Sequence, residues 1–88
     1  MDSEIRLKRL RFRAWHRGTR EADFMIGGFF DRYAEDWNDA QLGWFEALMN
    51  EQDVDIMAWA IGTQPMPARF EGRLMQAMQQ LDYLPIAR

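Results

Sequence analysis

Apolar side chains recur along this sequence at intervals of three and four, separated by polar and charged residues, which is the pattern of amphipathic helices. Ser3 can cap a first helix running to about His16, with Ile5, Leu10, Ala14 and Leu7 as its apolar positions. Their spacing is loose, so this helix is expected to be half exposed, with a cationic face and a second strip made by Phe12 and Trp15. Ala22, Ile26, Phe29, Phe30 and Tyr33 keep the spacing of a buried face in a second helix, from about Arg20 to Tyr33. Gly27-Gly28 lies in its middle, where each glycine costs roughly 1 kcal/mol against alanine. Close packing against another helix, or a local distortion, would explain the pair.

The third helix has the clearest start. Asn38 with Gln41 forms a capping box, and Trp37 with Leu42 stands where a hydrophobic staple would be. Leu42, Phe45, Leu48 and Met49 follow as the inward stripe. Asp53 can cap a short fourth helix through Val54, Ile56, Met57, Trp59, Ala60 and Ile61, apolar on most sides and therefore mostly buried, with Gly62 and Pro65 as its stop. Pro67 suits the first turn of a last helix, whose stripe is Phe70, Leu74, Met78 and Leu81 and whose end is marked by Pro85. No sustained alternation and no Asn-Gly or Asp-Gly hairpin turn competes. The expected fold is all-α: one domain, residues 1–88, formed as a small compact bundle of five short helices.

Arg17-Gly18-Thr19-Arg20-Glu21, with Asp23 behind it, is the junction of the first two helices. A glycine closing a cationic helical run reads as a left-handed helix stop, and Thr19 as the cap of the next helix. Glu21 and Asp23 then fall where the helix dipole favours negative charge. The junction is a tight corner presenting both signs of charge. As carboxylates two residues apart, Glu21 and Asp23 point to different sides of a helix and do not form a paired-carboxylate site.

Charge sharpens this picture. The first twenty residues hold seven basic against two acidic residues, net +5, and residues 21–88 hold four against twelve, net −8. One end of the molecule therefore meets a different partner from the other, or pairs with it. The chain has no cysteine and a single histidine, His16, which removes disulfides, thiolate metal sites and most catalytic triads. His16 has no nucleophile or second ligand type beside it and reads as a surface or packed residue. Most of the seven methionines are assigned to the core. No apolar run approaches a membrane span. Asp2 and Glu4 argue against a secretory or organellar leader, so a soluble cytoplasmic protein is expected.

His16-Arg17-Gly18-Thr19-Arg20-Glu21-Ala22-Asp23, after a cationic Arg/Trp helix, resembles the Arg-Gly-x-x-Glu signature of the FAD assembly factors of succinate dehydrogenase, also called flavinylation factors. Phe29-Phe30 is similar to that family's aromatic pair, and Asp53-Val54-Asp55-Ile56-Met57-Ala58-Trp59 to its Asp-x-Asp-x-x-x-Trp stretch. The resemblance runs from about Ile5 to Leu81; His16 stands where members often have a second arginine, and Ala22 where a larger aliphatic is usual. It implies a five-helix chaperone, not an enzyme. Such a chaperone binds the flavoprotein subunit of succinate dehydrogenase, and in some bacteria of fumarate reductase, and promotes covalent attachment of FAD to a client histidine.

By position, the resemblance makes Arg17, Gly18 and Glu21 the functional surface, with Asp23 beside it and Trp59 chiefly structural. Arg17 and Glu21 are expected to make charge-assisted hydrogen bonds to the client. Gly18 would admit client backbone, and Arg13 and Arg20 would steer the encounter, with His16 at the edge. Gly18→Arg and Glu21→Ala are expected to leave the melting curve near wild type while flavinylation falls. No cofactor is expected to bind stably, and the chain is expected to be monomeric with weak self-association through Phe12, Trp15 and methionines. Two rival readings are a nucleic-acid-binding protein using the basic first helix and a flavin-binding enzyme. The net −8 of the remaining residues opposes the first. A filled bundle of this size opposes the second.

Overall fold

The computed structural model describes residues 2–84, with side chains from residue 4 onward. Among them are five α-helices and no strand: α1 (Asp2–Trp15), α2 (Arg20–Tyr33), α3 (Asp39–Met49), α4 (Asp53–Ile61) and α5 (Arg73–Gln79). Single 3-10 turns occupy Ala34–Asp36 and Ala68–Phe70. Helix α1 already includes Ser3, so the backbone starts ahead of the expected cap, and the Ser3 side chain lies outside the described residues. Pro85 and the tail after it lie outside them as well.

The core forms where the stripes meet. Ala22, Ile26, Phe29 and Phe30 of α2 and Leu42, Phe45, Leu48 and Met49 of α3 are all buried, as their spacing requires. Phe29 is ringed by Tyr33, Trp37, Trp44, Phe45 and Tyr83 at centroid separations of 5.3–6.4 Å. Asn38 and Gln41 form the capping box at the start of α3, each side chain bonded to the other's backbone N–H. Gly62 closes α4 in the left-handed conformation (φ 94°). Met25, Met49, Met75 and Met78 are buried.

Several expectations are corrected by the structure. Ile5 is 53% exposed. Leu10 and Ala14 face the core with Leu7 packed against it, and Ile5 lies about 200° around the helix from Leu7. Val54 and Ile61 are exposed, because Ile56, Trp59 and Ala60 already turn one face of α4 to the core. Asp53 is the first residue of α4 and not its cap; Gln52 holds the cap position without a side-chain bond.

The last helix begins at Arg73, not near Pro67, because Gly72 at φ 139° breaks the backbone between the 3-10 turn and α5. Phe70 is still buried from that turn, against Trp59 at 5.5 Å. Met75 is buried in place of Leu74, and Leu81 lies beyond the helix end with φ 57°.

Gly27 has a steric reason. A Cβ there would overlap the indole ring of Trp15, whose N–H donates to Asp31 at 3.1 Å. Gly28 faces the backbone oxygen of Tyr83, 3.2 Å from where its Cβ would stand. Gly27→Ala is expected to lower stability by up to about 2 kcal/mol, since overpacking costs ~1–3 kcal/mol and the gain in helix propensity is ~1 kcal/mol. A urea melt measures this as a lower midpoint with an unchanged slope.

Candidate functional site

The corner between α1 and α2 is built by two ties. The backbone N–H of Arg17 donates to Oδ1 of Asp23 at 2.6 Å, which folds the chain back on the start of α2. The Thr19 side chain accepts from the Ala22 N–H at 3.2 Å as the cap of α2. Between them Gly18 sits at φ 119°, a conformation that L side chains rarely adopt. No atom lies within 4 Å of where its Cβ would be, so the backbone, and not crowding, demands glycine there. Gly18→Arg therefore carries strain of about 1–3 kcal/mol, and the expectation of an unchanged melting curve is withdrawn for that variant.

Arg17 departs furthest from expectation. Its side chain is only 11% exposed and runs inward, pairing Nε with Oδ1 of Asp53 (25% exposed) at 2.7 Å. Its terminal nitrogens lie 3.3–3.4 Å from the backbone oxygens of Arg13, Met49 and Glu51 and from the Met49 sulfur. A guanidinium engaged on every side has no free edge for a partner. Arg17 instead clamps the corner to the α3–α4 junction. Asp53 is used by the same clamp.

The remaining residues divide by direction. Asp23 is half-buried and turned inward to the Arg17 backbone, whereas Glu21 is exposed, the opposition expected of carboxylates two apart. Arg20 is exposed and makes no side-chain hydrogen bond or ion pair among the described residues. Arg13 is half-buried and donates to Oδ1 of Asn50 at 2.9 Å.

His16 is exposed and stacks on Phe12 at 3.9 Å between centroids, with Nδ1 2.7 Å from the Phe12 carbonyl. Only an Nδ1 that carries a proton can bond a carbonyl. Trp15 lies edge-on to Phe24 at 6.0 Å. Trp59 is buried, as its structural assignment requires. The outward surface is thus His16, Gly18, Thr19, Arg20 and Glu21, on a corner braced from within by Arg17, Asp23 and Asp53.

No group of three His, Asp or Glu side chains among the described residues is arranged to hold a metal ion. No helix there is long and apolar enough to cross a membrane. The Asp53 clamp was not read from the sequence. Its one signal was that Asp53 opens the second stretch of the family resemblance.

Residues 8–82 match the family model described as flavinator of succinate dehydrogenase. The chain is 33% identical over 79 residues to the mitochondrial succinate dehydrogenase assembly factor 2-B of Drosophila willistoni, covering 88% of this chain and 51% of that protein. It is 39% identical over 62 residues to the FAD assembly factor SdhE of Acetobacter pasteurianus, covering 70% of this chain and 57% of that protein. The chain spans about half the length of the curated relatives it matches.

Proposed function

The chain belongs to the family of flavinators of succinate dehydrogenase, and we propose that it binds the flavoprotein subunit of that enzyme and promotes covalent attachment of FAD to a client histidine. The flavin and the histidine both belong to the client, and the chain contributes position, not a reacting group. Holding two reacting groups in register can lower a barrier by several kcal/mol without any acid, base or nucleophile from the helper.

The observation that carries this reading is the braced corner. Gly18, Arg20 and Glu21 face outward on a turn whose backbone is held by Arg17, Asp23 and Asp53. A loop held rigid before the partner arrives loses little entropy on docking. Glu21 and Arg20 supply charge-assisted hydrogen bonds, and Gly18 offers backbone without a side chain. Arg13 and His16 border the contact, while Arg17 and Asp23 act as positioning residues. The chain works as a monomer in the bacterial cytoplasm, holds no cofactor stably, and acts on FAD only within the client. The same reading extends to fumarate reductase where that enzyme is made.

The test is reconstitution. Apo flavoprotein subunit is incubated with FAD, with and without this chain, and covalent flavin is scored by in-gel fluorescence after denaturation. A faster rise that saturates with added chain is expected. An identical rate with and without it refutes the reading.

A further inference from the structure

Part of the positive charge of the first twenty residues is neutralised internally. Arg6 donates from Nε and a terminal nitrogen to both oxygens of Glu46 at 2.8 Å, Arg11 approaches Asp31 at 3.4 Å, and Arg17 is clamped to Asp53. Arg9 and Arg13 have no acidic partner among the described residues. Arg9 makes no side-chain hydrogen bond there, and the one bond of Arg13 goes to a neutral amide oxygen, that of Asn50.

Arg9 and Arg13 lie four apart on α1, so their side chains rise one above the other from a single face. That face walls an open trough of about 620 Å³, closed opposite by Glu46 of α3 and by Asn50, and lined also by exposed Ile5 and by Leu10. Glu46 lies within Coulombic reach of Arg13 and offsets part of its charge, but both its oxygens accept from Arg6, and it makes no ion pair with Arg9 or Arg13 among the described residues. The Arg6 hydrogen bond also holds its carboxyl below the usual carboxylate range. The trough thus offers two guanidinium groups and an apolar patch, with no carboxylate free of a cation.

We infer that this trough docks an acidic segment of the flavoprotein client, with carboxylates on Arg9 and Arg13 and an apolar side chain against Ile5. The inference rests on the reading of the corner and adds a second contact beside it. From Ile5 to Arg13 the site runs about 12 Å along the helix, longer than a free dicarboxylate and suited to several residues of peptide. It also leads into the corner: Asn50, at its far end, lies between Met49 and Glu51, whose carbonyls Arg17 grips. A nucleic acid fits less well, because residues 21–88 carry net −8 and repel phosphates.

The test measures affinity of the full chain for the client flavoprotein subunit at several salt concentrations, with circular dichroism to confirm folding. Two variants are compared with wild type, R9Q/R13Q and R9E/R13E. Affinity should fall about tenfold in the first and further in the second, as expected for loss of hydrogen bonds to charged groups, and the salt dependence should flatten. A labelled twelve-residue peptide of Asp, Glu and Leu should bind wild type and not R9E/R13E.

Client affinity equal to wild type in R9E/R13E, with Glu21→Ala still impaired, overturns the trough and leaves the corner standing. Displacement of the peptide by glutarate at equal concentration also overturns it, as does tighter binding of a labelled oligouridylate.

Discussion

Arg17→Ala is expected to destabilise the folded chain by about 2–3 kcal/mol and to lower its Tm by roughly 10–20 °C. The change removes a guanidinium that meets Asp53 at 2.7 Å and three backbone carbonyls at 3.3–3.4 Å. Asp53, itself only 25% exposed, would be left without its cation. Lysine would not rescue it, because a point charge cannot reach the carboxylate and the carbonyls on both sides together. Thermal melts of Arg17→Ala, Asp53→Asn and the double variant give the coupling between the two side chains. A coupling of about 0.5–3 kcal/mol is expected for groups in direct contact. A Tm within two or three degrees of wild type for Arg17→Ala, or zero coupling, would show that the corner is not braced by this pair.

Glu21→Ala is expected to do the opposite: a melting curve close to wild type and a fall of tenfold or more in client flavinylation. Glu21 is exposed and has no hydrogen-bond partner among the described residues, so its folded-state role is confined to the dipole of α2. That role is worth about 0.3–1 kcal/mol. A charge-assisted hydrogen bond to a partner, by contrast, is worth about 1.5–3 kcal/mol. The two effects separate in one pair of measurements, a thermal melt and the in-gel flavin assay. Flavinylation at the wild-type rate with Glu21→Ala would remove the carboxylate from the contact. Together the variants split the signature by mechanism, Arg17 through the fold and Glu21 through the partner.

The division was only partly visible beforehand, and the reason is range. Features set by a few neighbouring residues were legible: the Asn38–Gln41 box, the Thr19 cap, the Gly62 stop, and the stripes of α2 and α3. Each depends on contacts within about one helical turn, where residue type and spacing carry the physics. The α5 start was misplaced although its cause, Gly72, is also local, because an apolar period running through Phe70 outweighed a single glycine.

What the amino-acid order determined, then, was five helices, most of the residues that line their core, and a mixed-charge corner at residues 16–23 with the family signature on it. What only the tertiary structure decided was direction: which charge of that corner turns in and which turns out. Arg17 faces inward because Asp53, 36 positions away in the chain, arrives beside it at the head of α4. Arg9 and Arg13 make no ion pair among the described residues, because Glu46, which shares their trough, gives both its oxygens to Arg6 from 40 positions away. Such pairings follow from how helices are stacked, and spacing along one helix holds no record of what the next brings alongside it.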